Sequence, residues 1–241
     1  MRYLVNMCYD GTDYYGFQIQ KDMKTIQGDV ERILSKILNE NINIVGCSRT
    51  DKGVHANDYY FHFETFKEFD LGKLTKSLNS LLDDSIYIKN IKEVDNEFHA
   101  RYSVKDKEYL YVINTGEYCP TRRNIELEYN KCIDVELLKE ASRYLIGKHD
   151  FKSFTSDNER DNFVRTINYI KFEEKNEILN IYINADGFLK YMVRNIVGLF
   201  LELNDGKKNL TDIEEILESK DRTMLGVSAP SVGLYLNKVN Y

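Results

Sequence analysis

The chain has 241 residues, of which 42% are hydrophobic and 30% are charged, proportions that are typical of a soluble globular protein. Its longest apolar run, residues 196–201, is far too short to span a bilayer, and the first residues lack a signal-peptide core, so we expect a soluble, cytoplasmic protein. The net charge of −6 argues weakly against a nucleic-acid partner, although residues 101–123, with five basic and three acidic side chains, leave room for one basic face.

The first half of the chain alternates between strand and helix patterns in the order βαββαβ, which is typical of a ferredoxin-like fold. Thr25 is a candidate N-cap, and the apolar residues after it recur with the period of a helix. Strands are predicted at residues 2–10, 43–47, 56–64 and 86–94, and helices at residues 26–38 and 71–82.

The second half nearly repeats this layout. A strand is predicted at 107–114, a helix at 135–146, a hairpin of 165–173 and 177–185 around a turn at 174–176, helices at 188–203 and 212–220, and a closing strand at 233–239. We therefore predict an α+β fold of two ferredoxin-like halves that share a central, mostly antiparallel sheet. The halves are residues 1–104 and 105–241, with an active-site cleft between them.

The sequence shows neither the spacing typical of metal ligands nor the phosphate-binding motifs typical of nucleotide cofactors. The four cysteines contain no C-x-x-C pair, and the four histidines show neither H-x-H nor H-x-x-x-H spacing. Neither a P-loop nor a dinucleotide fingerprint occurs. We expect no disulfide framework, no metal and no cofactor.

The densest group of reactive side chains is the predicted connection between two strands, residues 47–56, with the sequence CSRTDKGVHA. Asp51 is either an ordinary turn residue, because Asp-x-Gly favours turns, or a catalytic carboxylate. Arg49 can keep such a carboxylate ionised, and Gly53 lets the backbone approach a ligand closely. A hydrolase that uses Cys47 and His55 is a further interpretation, but no G-x-S-x-G motif supports it.

Two residues in the second half could complete such a site. Arg194 lies in an apolar helix, where an unpaired charge costs several kcal/mol or more, so we expect it to pair either with a structural carboxylate or with a reactive one. Tyr109 and Tyr111 share one face of a strand. They either belong to the core or, beside basic residues such as Arg101, stack on a nucleobase.

Taken in order along the chain, these segments resemble the tRNA pseudouridine synthase A family, and the resemblance spans essentially the whole sequence. The segments that carry it are YDG (9–11), YGFQ (15–18), TIQ (25–27), RTDKGVHA (49–56), FHAR (98–101), KEYLY (107–111), FKSF (151–154), RTI (165–167), MVRNIVG (192–198) and GLYL (233–236). The chain departs from the family pattern at Cys47 and Ser48, where Ala-Gly is usual, and at Lys52, where Ala is common.

The resemblance implies an isomerase that converts uridine to pseudouridine at positions 38–40 of the tRNA anticodon stem-loop, without metal or cofactor. It implies that Asp51 is the nucleophilic aspartate, Arg194 its partner and Tyr109 the residue that stacks on the target uracil. The other substrate-binding residues that it implies are Arg49, Arg101 and Leu234. It also implies a homodimer in which one tRNA contacts both subunits.

A non-catalytic RNA-binding protein is the alternative from another functional class, because RNA recognition motifs are also ferredoxin-like. The aromatic-rich motif typical of those modules is not present in the sequence.

Overall fold

The computed structural model of this protein describes residues 1–157 and 160–241. These residues form two compact units, one of Met1–Lys105 together with Tyr235–Tyr241 and one of Asp106–Leu234. The sequence places the closing strand in the C-terminal half, whereas residues from Tyr235 onward pack with the first unit. The pairing of Tyr235 and Leu236 with the strand that begins at His55 accounts for this placement.

The first unit has the predicted βαββαβ order. Its elements are β1 (Arg2–Tyr9), α1 (Ile26–Leu38), β2 (Ile44–Gly46), β3 (His55–Glu64), α2 (Leu71–Leu81) and β4 (Ile86–Val94). Strand β1 lies between β3 and β4 and is antiparallel to both, while β2 pairs with β3 on its other side. The resulting strand order, β4-β1-β3-β2, is that of a ferredoxin-like sheet. The predicted α+β class is therefore confirmed.

Helix α1 illustrates why the local sequence was sufficient here. Thr25 is extended, and its Oγ1 accepts a hydrogen bond from the Gly28 amide at 3.3 Å, as expected of an N-cap. Asn39 ends the helix in the left-handed conformation, with φ of 47°. The buried face consists of Ile26, Val30, Ile33, Leu34 and Leu38.

The second unit contains a five-stranded sheet in the order β6-β5-β9-β8-β7, in which only the β5–β6 pair is parallel. Its elements are β5 (Asp106–Asn114), β6 (Leu127–Glu128), α3 (Val135–Leu145), β7 (Gly147–Asp150), β8 (Val164–Lys175), β9 (Ile178–Ala185), α4 (Met192–Asn204) and α5 (Leu210–Ser219). Short 3-10 helices span Pro120–Arg122, Lys152–Phe154 and Arg222–Met224. The last strand, β10 (Leu234–Asn240), begins at the final residue of this unit.

Several predicted boundaries in the second unit differ from the structure, two of them because of residues in the left-handed conformation. The β8–β9 hairpin turns at Asn176 and Glu177, with φ of 52° and 59°, rather than at residues 174–176. Two consecutive residues in the left-handed region are what a tight two-residue hairpin requires. Helix α4 begins at Met192 rather than at residue 188, because Tyr191 has φ of 63°, which no α-helix accommodates.

No helix among the described residues combines the length and the apolar character needed to cross a membrane.

Candidate active site

The loop that joins β2 to β3, residues 47–54, is called the Asp51 loop below. Within it, Asp51 is half-buried, Arg49 and Lys52 are exposed, and Thr50 is buried. The amide of Val54 donates to the carbonyl of Asp51 at 3.2 Å and so closes a tight turn. Asp51 is thus a turn residue that is partly exposed.

The connection between β1 and α1, residues 10–25, holds this turn from both sides of Asp51. The Gly53 amide donates to the carbonyl of Tyr14 at 3.2 Å, and the Phe17 amide donates to the carbonyl of Thr50 at 3.2 Å. Gly53 itself has φ of 75°, a conformation that glycine adopts without steric cost. The backbone before and after Asp51 is therefore tied to one neighbouring segment.

Thr50, the residue before Asp51, makes two further close contacts. The buried Thr50 Oγ1 lies 2.8 Å from the hydroxyl of Tyr9, the last residue of β1. Gly16 has φ of 90°, and a Cβ placed on it would lie 2.5 Å from the carbonyl oxygen of Thr50. The close approach of these two segments thus requires glycine at position 16.

The contacts of His55 and Cys47 indicate packing roles. His55 is 2% exposed, its Nδ1 lies 3.0 Å from Asp10 Oδ1, and its ring stacks on Tyr235 with centroids 4.7 Å apart. Cys47 is fully buried, and its Sγ accepts a hydrogen bond from the Tyr60 amide at 3.4 Å. A thiol without solvent exposure cannot attack a substrate, so these contacts argue against the hydrolase interpretation.

Arg194 lies in the first turn of α4 and is half-buried. Its Nε donates to the carbonyl of Ala229 at 2.7 Å, and its guanidinium carbon lies 5.1 Å from the ring centroid of Tyr191. Burial raises the pKa of Tyr111, and the positive charge of Arg194 partly offsets this increase. These contacts fix the direction of the guanidinium group.

Tyr109 and Tyr111 lie on one side of β5, as the alternation predicts, and both are buried. Tyr111 is fully buried and donates a hydrogen bond to the carbonyl of Pro230 at 2.8 Å, so it is a core residue. Tyr109 is 6% exposed and packs edge-to-face against Phe188, with ring centroids 5.0 Å apart and an interplanar angle of 83°. The plane of the Tyr109 ring is set by this contact.

Arg101 is exposed in the turn that follows β4, and its guanidinium carbon lies 5.8 Å from the ring centroid of Tyr102. Two histidines shape this turn. Nδ1 of His99 accepts hydrogen bonds from the amides of Arg101 and Tyr102 at 3.1 and 3.2 Å. Nδ1 of His62 accepts one from the amide of Ala100 at 3.1 Å. Both imidazoles act as acceptors and therefore must be neutral at Nδ1.

The environment of the two histidines favours their neutral form. Burial is the main reason that the pKa of His62 falls to about 4, and the charge of Arg2 and the presence of His99 lower it further. Burial, Arg2 and Arg101 also lower the pKa of His99. Sequence analysis assigned neither residue a role: the histidines were tested for metal-ligand spacing, and His99 was named only within the FHAR segment. His62 lies between Phe61 and Phe63 in β3 and therefore points to the opposite face of the strand, so the alternation did not indicate that it is buried.

The predicted site residues are divided between the two units. Asp51, Arg49 and Arg101 belong to the first unit, and Tyr109, Arg194 and Leu234 to the second. Leu234 is 4% exposed, and its amide donates to the carbonyl of Ser231 at 3.0 Å. Within the described ranges, no group of three or more His, Cys, Asp or Glu side chains is placed to hold a metal ion.

Comparison with known proteins identifies the family. A family model described as tRNA pseudouridine synthase matches residues 7–103 and 141–241. A protein named tRNA pseudouridine synthase A from Thermoanaerobacter sp. (strain X514) is 41% identical over 97% of this chain and 96% of its own length. A protein of the same name from Caldicellulosiruptor bescii is 42% identical over 99% of this chain and 98% of its own length. The chain therefore belongs to the tRNA pseudouridine synthase family.

Proposed function

We propose that this protein converts uridine to pseudouridine in tRNA, at positions 38–40 of the anticodon stem-loop, and that Asp51 is its catalytic residue. The observation that carries the proposal is the Asp51 loop, in which a half-buried aspartate lies on a turn whose neighbouring residues, Thr50 and Gly53, are hydrogen-bonded to the β1–α1 connection. A rigid support of this kind is what a catalytic group needs to be held in a productive geometry.

The reaction breaks the bond between C1′ of the ribose and N1 of the uracil, turns the base, and joins C5 to C1′. C5 then loses its proton and N1 takes one up, so that atoms balance. Reactant and product are isomers, so no external energy source is required. A base stacked in a stem has to be extruded first, at a cost of a few kcal/mol. Stacking on an aromatic ring returns roughly 1–3 kcal/mol per base. We assign this stacking to Tyr109, whose ring plane is set by Phe188.

Asp51 acts in its ionised form, either by attacking the substrate to give a covalent adduct or by removing a sugar proton to give a glycal-like intermediate. We assign Arg194 as its partner. A guanidinium stays charged at every physiological pH and favours the ionised state of a carboxylate that it meets. The hydrogen bond from Arg194 Nε to Ala229 supports this role, because it orients the group before substrate arrives.

The remaining substrate contacts follow from exposure and chemistry. Arg49 and Arg101 are exposed cations and suit RNA phosphates. Leu234, at the start of β10, is buried, and we assign it to the substrate site on the family resemblance rather than on exposure. We further propose that the enzyme is a cytoplasmic homodimer in which both subunits contact one tRNA, with no metal. Sedimentation equilibrium of the full chain tests the dimer.

Release of tritium from tRNA labelled at uracil C5 tests the catalytic assignment. Asp51→Asn keeps the size of the side chain and removes its charge, so turnover should vanish while tRNA affinity changes little. Asp84→Asn is the matched control, because Asp84 is an exposed carboxylate of the same unit. Turnover by Asp51→Asn at the wild-type rate would overturn the proposal.

A further inference from the structure

Lys52 directly follows Asp51 and is exposed. Its Nζ lies 4.0 Å from the ring centroid of Tyr15, which is 40% exposed. The two side chains come from different segments, Lys52 from the Asp51 loop and Tyr15 from the β1–α1 connection. A cation held over an aromatic ring is thus present at the surface, one residue from the proposed catalytic acid.

The position of this pair is set by the backbone contacts that support Asp51. The Tyr15 amide donates to the carbonyl of Lys24 at 2.9 Å, and the residue before it, Tyr14, accepts from the Gly53 amide at 3.2 Å. Each residue of the pair is therefore next to an anchored position. A lysine on a flexible stem normally loses rotamer entropy on binding, and a ring that already holds the ammonium reduces that loss.

A second lysine–tyrosine pair in the same unit differs in that its lysine also binds a carboxylate. Lys24 Nζ lies 4.4 Å from the ring centroid of Tyr14, but it also forms an ion pair with Asp83 at 3.0 Å. Among residues 1–157 and 160–241, Lys52 has no such carboxylate partner. Its charge remains available to an anion.

A phosphate of the RNA backbone is the anion that fits beside Lys52. An ionised Asp51 repels the phosphates on either side of the nucleotide that it acts on. A cation on the adjoining residue offsets that repulsion where the backbone has to pass, and lysine is a common phosphate ligand.

We propose that Lys52, held over the ring of Tyr15, binds a phosphate of the RNA backbone next to the target uridine. Lys52 is then a substrate-binding residue and Tyr15 a positioning residue. This inference rests on the proposed function, because it requires RNA at the Asp51 loop. It concerns a position where the family commonly has Ala, so it describes a contact particular to chains with a cation there.

The test measures KM, kcat and the salt dependence of tRNA binding for four variants. Lys52→Ala should raise KM about fivefold with kcat within about twofold of wild type. It should also reduce the slope of log K against log salt concentration by about 0.7–0.9, the value for one lost phosphate contact. Lys52→Arg should restore both quantities. Tyr15→Leu should raise KM by about twofold to fivefold and leave the salt slope unchanged.

Lys24→Ala is the matched control, since it removes an equal charge and a similar ring contact where an aspartate already neutralises the lysine. It should leave KM and the salt slope at wild-type values. Unchanged KM and salt slope in Lys52→Ala would overturn the inference, as would a loss of kcat at unchanged affinity. The proposed function is judged separately, by the turnover of Asp51→Asn.

Discussion

Thr50 Oγ1 and the hydroxyl of Tyr9 lie 2.8 Å apart in the protein interior, one residue before Asp51. Tyr9 ends β1, a central strand of the first unit, so this contact ties the Asp51 loop to the sheet. The position of the proposed catalytic residue therefore depends on a hydroxyl pair that does not itself take part in the reaction.

Tyr9→Phe removes this hydrogen bond and should lower the free energy of unfolding by about 1 kcal/mol, because Thr50 keeps a buried hydroxyl without its partner. It should also lower kcat, since the residue beside Asp51 becomes less constrained. Tyr3→Phe is the control, because Tyr3 is equally buried but its hydroxyl contacts Met1. Urea denaturation measures the free energy of unfolding, and tritium release measures kcat. Equal kcat values for the two variants would show that the contact is purely structural.

Gly16→Ala should destabilise the protein by more than about 1–2 kcal/mol, the usual cost of a left-handed residue, because the new methyl also meets the carbonyl of Thr50. Gly206→Ala separates the two effects. Its φ is 69°, but no atom of the described residues lies within 4 Å of the added Cβ. Thermal unfolding should give a larger loss at position 16, together with lower activity. Equal losses would contradict the close approach of the two segments.

The stability of the protein should fall between pH 6.5 and pH 4, in part because of His62. Its pKa of about 4 in the folded state lies below the ordinary value of 6.5, so the unfolded state binds more protons in this range. At pH 4, the loss in free energy of unfolding that is due to His62 reaches about 3 kcal/mol. Arg2 and His99 oppose its protonation, and Glu64 favours it.

His62→Gln removes the titrating group of that residue. The free energy of unfolding of this variant, measured by urea denaturation at several pH values, should decline less steeply from pH 6.5 to pH 4 than that of the wild type. Parallel curves for the two proteins would exclude His62 as the cause.

Arg194→Lys keeps the charge but loses the Nε contact with Ala229 and the planar group. We expect kcat to fall by about 100-fold, the lower range for loss of one electrostatic contact to the transition state, while tRNA affinity is retained. Arg222→Lys is the control. Its Nη1 donates to the carbonyls of Leu225 and Gly226, so its replacement should reduce stability rather than kcat. A wild-type kcat for Arg194→Lys would remove Arg194 from the site.

Local patterns in the sequence were sufficient for elements whose determinants are themselves local. The helix that begins after Thr25 was predicted with the same bounds, residues 26–38, because its cap and its apolar period lie within a few residues of each other. Strand β6, of two residues, was missed, because it depends on pairing with Ile113 and Asn114 of β5 rather than on its own composition. The start of α4 was misplaced for a similar reason, since no rule of propensity places Tyr191 in the left-handed region.

In the candidate site, too, local sequence indicated some residues, and only the folded structure shows the others. Asp51 stood out because Arg49, Gly53 and His55 surround it in the sequence. The groups that hold it, Tyr9 and Gly16, are some 35–42 positions away in the chain, and only the folded structure shows their contact with Thr50. The hydrogen bonds of His62 and His99 were not predicted, because their partners are backbone amides, which a sequence does not display.

Pseudouridine mapping by chemical primer-extension stops, on tRNA from cells that lack this protein, is the decisive test of the proposed activity. Stops at positions 38–40 should be absent in these cells, return on expression of the wild-type chain, and stay absent with Asp51→Asn. Stops that persist without the protein, or that return with Asp51→Asn, would contradict it.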